Sequence, residues 1–415
     1  MEFEKVLLKQ LDEIYYSPKE LKYGNKCGVF LSPHDFNEYL KYKDDLIDEN
    51  KLFYNTHLLT FNYKDIYFVF NNELLSVIHD YFNQISIDLE KNDLPLSIRY
   101  FDSIKKSRIY SEIEGTLNVE NVPTTRKNLI DLIENKKEPK TNNDIIIKNM
   151  SDAFDFIIKR PEFNKDNLFR LYSLLSKDCL DEEDLLKEGD YYRYDSVEID
   201  RYHGAPVNKI EDCMNSLFKY VNTELQKKWE YIFLLPHIAH YYVLYIHPYF
   251  DYNGRTARMV SLWIQLLATN RLFLGFISEA INQTKKYYYE ALENSRDCHN
   301  DITYFLLYLY KVSNLYYLTY QNVDALSFSL KKKGVLLTET ELNYIKKILI
   351  TYNGPFTWDD FVKNAQIEIT KQGALKILNN YVSLEILKEI ETKSKSKLFD
   401  INMRMLPYNV ESIRI

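Results

Sequence analysis

From Asn149 to about Ser313, apolar residues recur at spacings of three and four, as at Leu168, Leu171, Tyr172 and Leu175. That is the α-helical period, so most of this stretch must fold as helices packed on one another. Alternation with a period of two is confined there to short pieces such as Ser196-Val197-Glu198-Ile199, which excludes a sheet-dominated fold. At 415 residues the chain exceeds what one core usually spans, and two or three domains are expected. Hydrophobic content of 46% with 27% charged residues is ordinary for a soluble globular protein. A net charge of −7 argues against coating nucleic acid or an anionic membrane along the whole chain. No apolar run approaches the length of a membrane span, and the acidic start Met1-Glu2-Phe3-Glu4-Lys5 lacks the pattern of a signal peptide. Cys27, Cys179, Cys213 and Cys298 are scattered without paired spacing, so a cytoplasmic location is expected.

Around the helical stretch the organisation changes. Residues 1–95 read as mostly helical, with a short strand at Phe68-Val69-Phe70 and a polar turn at Lys91-Asn92-Asp93-Leu94-Pro95. A helix follows over about 96–115, with Gly115 as the expected C-cap. Lys136 to Asn143 reads as an exposed loop around Pro139. A flap is expected over about 190–206, where the alternating Ser196–Ile199 precedes Tyr202-His203-Gly204-Ala205-Pro206. Residues 325–415 form a further unit, with helices at Glu339–Leu349, Thr357–Asn364 and Thr370–Tyr381. Strands follow around Ile386–Glu391 and Leu398–Ile401, the outline of a winged helix. This unit carries about four more Lys and Arg than Asp and Glu. Its basic Lys393-Ser394-Lys395-Ser396-Lys397 and Thr370-Lys371-Gln372 suit either DNA phosphates or protein docking.

Chemistry concentrates in His247-Pro248-Tyr249-Phe250-Asp251-Tyr252-Asn253-Gly254-Arg255-Thr256-Ala257-Arg258. His247 closes an apolar helix ahead of a proline, and a neutral imidazole there suits a general base near neutral pH. His237 and His240 precede it, but their spacing does not complete a zinc site. Asp251 is a hard oxygen ligand beside a turn, suited to Mg²⁺ shared with phosphate oxygens. Asn253-Gly254 favours a tight turn whose amides, with the following helix N-terminus, form an anion nest. Arg255 and Arg258 continue backwards the apolar stripe of Met259, Leu262, Trp263, Leu266 and Leu267, so both face inward. Buried guanidinium groups need anionic partners, and the phosphates of a nucleotide fit them.

This segment resembles the signature of the Fic family, His-Pro-Phe-x-(Asp/Glu)-Gly-Asn-Gly-Arg-x-x-Arg, with Tyr249 in place of Phe and Tyr252 in place of the first Gly. The resemblance spans roughly residues 95 to 315. It implies a mainly α fold with a Fic-type helical core over 96–320, a β-hairpin flap and, here, a C-terminal winged helix. It further implies an enzyme that transfers AMP from ATP, with Mg²⁺ or Mn²⁺, to a Ser, Thr or Tyr hydroxyl of a target protein or of itself. In those terms His247 is the base, Asp251 holds the metal, and Asn253, Gly254, Arg255 and Arg258 hold phosphates. Tyr288, in a Tyr-Tyr-x-x-Leu segment, borders the nucleotide, and Val197 and Ile199 in the flap dock the target by strand pairing.

Many Fic proteins carry a preceding inhibitory helix with the pattern (Ser/Thr)-x-x-x-Glu-(Gly/Asn). Ile113-Glu114-Gly115 suggests Glu114 as an inhibitory carboxylate pairing with Arg258, although Tyr110 occupies the Ser/Thr position. Three alternatives remain: transfer of another phosphate-linked group, since Tyr252 departs from the pattern; removal of AMP by way of Glu114; and a winged-helix DNA-binding regulator whose core senses nucleotide. A homodimer is compatible with the sequence, and no membrane partner is expected.

Overall fold

The computed structural model describes residues 2–406 apart from 25–27, 29, 64, 93–97, 200–201, 228–231, 270–276, 353, 365–368 and 391–396, with residues 2, 84–92 and 98–107 described in backbone only. The expected polar turn at Asp93-Leu94-Pro95 and the basic stretch at Lys393–Ser396 lie outside the described residues.

Helices α1 (Glu2–Asp12), α2 (Pro18–Tyr23) and α3 (Pro33–Leu46) precede an antiparallel pair, β1 (Phe53–Asn55) and β2 (Tyr67–Val69), in which Phe53 faces Val69. Next come α4 (Asn72–Asn92), α5 (Ile98–Val119), α6 (Arg126–Ile133), α7 (Asn142–Ile158) and α8 (Lys165–Ser176). The flap is a minimal hairpin, β3 (Glu198–Ile199) and β4 (Tyr202–His203), with Ile199 opposite Tyr202. Then follow α9 (Val207–Lys227), α10 (Leu235–Ile246), α11 (Asn253–Thr269), α12 (Ser278–Gln283), α13 (Lys285–Asp297) and α14 (Thr303–Lys332). The chain closes with α15 (Glu339–Thr351), α16 (Trp358–Asn364), α17 (Lys371–Ser383) and the antiparallel pair β5 (Leu387–Ile390) and β6 (Leu398–Ile401).

Local chemistry sets several of these starts. Ser17 with Glu20, Thr141 with Asp144 and Thr338 with Glu341 form reciprocal capping boxes, and Asn164 and Thr370 cap α8 and α17. α10 is buried over every residue from Leu235 to Ile246, so it is the axis of the fold. α11 packs against it and is buried nearly all round, wider than the single stripe expected from its apolar residues.

Among the described residues, 1–95 share the main core and do not form a separate one. Buried side chains from Val6 to Tyr320 form one continuous cluster. A buried ion pair between Lys43 and Asp301, joined by the Tyr15 hydroxyl, ties the start of the chain to the α13–α14 junction. β2 adds backbone bonds to the same junction, from Ile302 N–H to the Tyr67 carbonyl at 2.8 Å. A second cluster runs from Val323 to Ile401. The expected boundary near 320–325 falls inside α14, whose last turns give Val323, Leu326 and Leu330 to that second core.

Gly115 is not a C-cap. α5 continues through it to Val119, because the missing side chain lets α5 press against α12: a Cβ at Gly115 would lie 2.6 Å from Ser278 C and 2.7 Å from Glu279 Cα. A glycine that looks like a helix stop is here a helix–helix contact.

Candidate active site

α10 ends where His247 adopts the left-handed conformation, φ 53° and ψ 63°, while its N–H still bonds the Val243 carbonyl at 2.9 Å. The loop that follows is fixed from both sides. Tyr249 stacks on Tyr172 with ring centres 3.7 Å apart. The Asn253 side chain accepts from Tyr249 N–H at 3.0 Å and donates to the Tyr249 carbonyl at 2.8 Å. Asn253 is thus the brace that brings His247 and the start of α11 together.

The flap closes on the same point. Ala205 N–H bonds the Ile246 carbonyl at 3.0 Å, and Gly204 N–H bonds the Val197 carbonyl at 3.2 Å. Arg193 donates to the carbonyls of His247 at 2.8 Å, Asp195 at 2.5 Å and Ala205. Val197 precedes β3 and Ile199 lies in it opposite Tyr202, both partly buried, and the Val197 and His247 side chains meet at Gly204. Burial first, then the positive charges of Arg296 and Arg193, lower the His247 imidazole to about 3. It is therefore neutral across the physiological range and open to take a proton.

The cationic side of the site is built on α11. Arg255 is almost buried. Its guanidinium lies over the Tyr252 ring at 3.4 Å, and Nη2 is 3.5 Å from Asp251 Oδ2. Tyr252 itself sits at φ 66°, the conformation a glycine takes without strain. Holding a tyrosine there costs about 1–2 kcal/mol, which the ring's burial and its stack on Arg255 offset. Asp251 is half exposed, and its Oδ1 accepts from Tyr252 N–H at 2.5 Å. Its hard oxygens, open to solvent beside a helix N-terminus, fit a Mg²⁺ ion shared with phosphate.

Arg258 is enclosed, and its Nε and Nη2 are both bonded. Its Nε donates to Thr116 Oγ1 at 2.6 Å, and Nη2 donates to Glu120 Oε1 at 2.5 Å and to the Thr116 carbonyl at 3.4 Å. Burial would raise the Glu120 carboxyl, but Arg258, Arg255 and Lys285 outweigh it and hold it below the usual carboxylate range. The same carboxylate meets the N-terminus of α11, where a Cβ on Gly254 would lie 2.6 Å from Glu120 Oε1. Glu120 therefore occupies the anion position formed by a helix N-terminus and two arginines.

This corrects the expectation for Glu114. Its carboxylate pairs with Arg126 Nη1 at 3.1 Å, and Arg126 Nη2 reaches Glu339 of α15 at 3.4 Å. Continuing α5 past Gly115 explains the change. Glu112, Thr116 and Glu120 are spaced by four along the chain, so they share a face, and Glu114 lies on another. The signal was present in the sequence: Thr116-Leu117-Asn118-Val119-Glu120-Asn121 fits the pattern (Ser/Thr)-x-x-x-Glu-(Gly/Asn) in full. Glu112 was also missed. Fully buried, it accepts from Ser278 N–H at 2.8 Å and from the Ser278 hydroxyl, and burial raises its carboxyl to about 7.

Tyr288 supports the site from beneath. It is buried, and its hydroxyl bonds His240 Nε2 at 2.9 Å next to Arg258. It has no open face with which to border a nucleotide, because α13 and α14 enclose the ring. His237 stands on edge against Tyr310, with ring centres 5.1 Å apart.

Residues 162–265 match a family model described as Fic/DOC family. Among solved structures, a Fic family protein from Desulfovibrio desulfuricans G20 is 17% identical, covering 80% of this chain and 96% of that one, with a TM-score of 0.49. A Fic domain containing signaling protein from Bacteroides thetaiotaomicron is 15% identical, covering 59% and 93%, with a TM-score of 0.44. Fic-1 from C. elegans, residues 134–508, is 18% identical, covering 63% and 73%, with a TM-score of 0.46. No curated protein matches the chain. No helix among the described residues is long and apolar enough to cross a membrane.

Proposed function

Because residues 162–265 form a Fic/DOC family domain, of a kind that in general transfers AMP or other phosphate-linked groups to proteins, we propose that this chain is a protein adenylyltransferase restrained by Glu120. The observation that carries the reading is the Glu120 carboxylate seated on Arg258 at the N-terminus of α11, where a phosphate would otherwise bind.

In the transfer, the oxygen of a target hydroxyl attacks the α-phosphorus of ATP, and neutral His247 takes the hydroxyl proton. The bond between the α- and β-phosphates breaks, and pyrophosphate leaves with its electron pair. Arg255, oriented by Tyr252, and the amides at the start of α11 hold the phosphates in line with His247. Asp251 would hold Mg²⁺, which when bound neutralises polyphosphate charge. The low basicity of His247 belongs to the nucleotide-free protein; the negative charge of a bound triphosphate would raise it toward the range where a base works best.

While Glu120 holds Arg258, the terminal phosphate has no anchor and the α-phosphate is not presented to His247. Incubation with ATP labelled in the α-phosphate tests this. Glu120→Gly should label itself or a target, and the double variant with His247→Ala should not; failure of every Glu120→Gly preparation to label would reject transfer. Tyr252 favours a second reading. A buried ring where the resembled pattern has glycine narrows the space beside Arg255, so another nucleotide is the alternative donor, and a panel of labelled nucleotides separates the two. Residues 339–401 we read as a winged helix that serves for packing or docking, since α15 rests on α12 and α14. A gel shift at two salt concentrations tests a DNA role.

A further inference from the structure

Arg296 stands in the last turn of α13, beneath the flap. Its guanidinium carbon lies 3.9 Å from the centre of the Tyr202 ring in β4. Tyr202 is itself pinned, its hydroxyl donating to the Tyr245 carbonyl at 2.5 Å, two residues before His247. The ring therefore holds the face of Arg296 in place and leaves its N–H edge for something else. The neighbouring Arg193 is used up on three carbonyls of the flap and the His247 loop. Arg296 differs, because among the described residues it has no ion-pair or hydrogen-bond partner, and its Nε is buried without one. A partly enclosed guanidinium, pre-oriented by stacking and short of acceptors, is a receptor for an anion.

Two anions could approach this point, a nucleotide phosphate or an acidic side chain of the target. The cations that gather on the phosphate side are Arg255, Arg258 and Lys285, which surround Glu120 at the start of α11. Arg296 instead belongs to the flap through Tyr202. We propose that Arg296 is a specificity-determining residue that accepts an Asp or Glu side chain beside the modified hydroxyl, so that the enzyme selects acidic target segments laid against the flap. This rests on the transfer reading given above and adds the class of target to it. Seating a carboxylate on Arg296 has a second consequence. After burial, Arg296 is the largest influence depressing His247, so an acidic target offsets that charge and makes His247 a stronger base as the target arrives.

The test uses the full-length chain with Glu120→Gly, ATP labelled in the α-phosphate, and pools of peptides carrying one Tyr, Ser or Thr. The hydroxyl residue is flanked by Asp and Glu in one pool, by Asn and Gln in a second, and by Lys in a third. The acidic pool should be labelled roughly tenfold more efficiently than the amide pool, the size of a charge-assisted hydrogen bond. Adding Arg296→Gln should bring that ratio near one, Arg296→Lys should keep most of it, and Arg296→Glu should move the preference to the Lys pool. A gained preference of that kind cannot come from misfolding. Label on all pools without preference, or a preference that survives Arg296→Gln, overturns the proposal alone. A weaker nucleotide affinity in Arg296→Gln, with equal loss on every pool, also overturns it and assigns Arg296 to phosphate. Absence of label from every pool and from the protein itself overturns the transfer reading, and this inference with it.

Discussion

Glu114 and Glu120 sit on the same stretch of chain, six residues apart, and do different things. Around Glu114 the contacts are with Arg126 and, through it, Glu339 of α15, with each side chain of the Glu114–Arg126 pair about one-fifth exposed. Around Glu120 the partner is an enclosed arginine, Thr116 shares it, and a helix N-terminus points at the same oxygen. The first is a surface brace between two parts of the fold, and water screens it. The second holds a charge that has nowhere else to go, so taking Glu120 away leaves Arg258 requiring another anion. Which acid of a helix reaches an enclosed arginine is decided by the phase of the helix.

The largest effect expected is on the Glu120 side. In a Glu120→Gly background, His247→Ala should reduce labelling by ~10²–10⁴-fold while nucleotide binding by calorimetry stays close to that of Glu120→Gly alone. Residual labelling near that of the background would mean that another group takes the proton.

Gly115 belongs to both regions, since it sets how closely α5 packs on α12. Gly115→Ala would place a Cβ against the backbone of Ser278 and Glu279, and overpacking of this kind typically costs about 1–3 kcal/mol. A lower Tm together with increased labelling is expected, because α5 must move and take Glu120 with it. An unchanged Tm would show that the two helices are not in this contact.

Glu112 sharpens the comparison through pH. Burial raises its carboxyl to about 7, so the folded state keeps its proton to higher pH than the unfolded chain does. Stability should fall as pH rises from the ordinary carboxylate range to about 7 and level off above it. Glu112→Gln should remove that part of the slope, as measured by urea unfolding at several pH values. An identical pH dependence in the variant would show that Glu112 is not the group responsible.

The smallest effect should be on the Glu114 side. Arg126→Ala removes a partly exposed pair and should change stability by less than ~1 kcal/mol, with labelling close to wild type. A large increase in labelling would make the brace part of the restraint.

The arrangement of His247 to Arg258 was legible because it is contiguous: the helix end at His247, the turn and the inward-facing arginines of α11 follow one another along the chain, and one local loop assembles them. The helices around them were legible from period, and the short hairpin of the flap from the alternation at Ser196–Ile199. Glu120 was missed through a single local inference, that Gly115 ends a helix. The glycine is there because α12 lies against it, a tertiary reason that no local pattern reveals. Arg296 was invisible for the same cause, since nothing in the sequence brings it under Tyr202. Residues 1–95 gave no function because what fixes them, the Lys43–Asp301 pair with Tyr15, joins positions far apart in the chain.

The central claim, that Glu120 and not Glu114 restrains the site, rests most directly on one measurement: label incorporated from α-labelled ATP by the wild type, Glu114→Gly and Glu120→Gly under the same conditions. Truncating one partner of a buried charge pair is worth ~2–5 kcal/mol, so Glu120→Gly should label at least tenfold more than the wild type, with Glu114→Gly close to the wild type. Strong labelling by Glu114→Gly with none gained by Glu120→Gly would contradict the account.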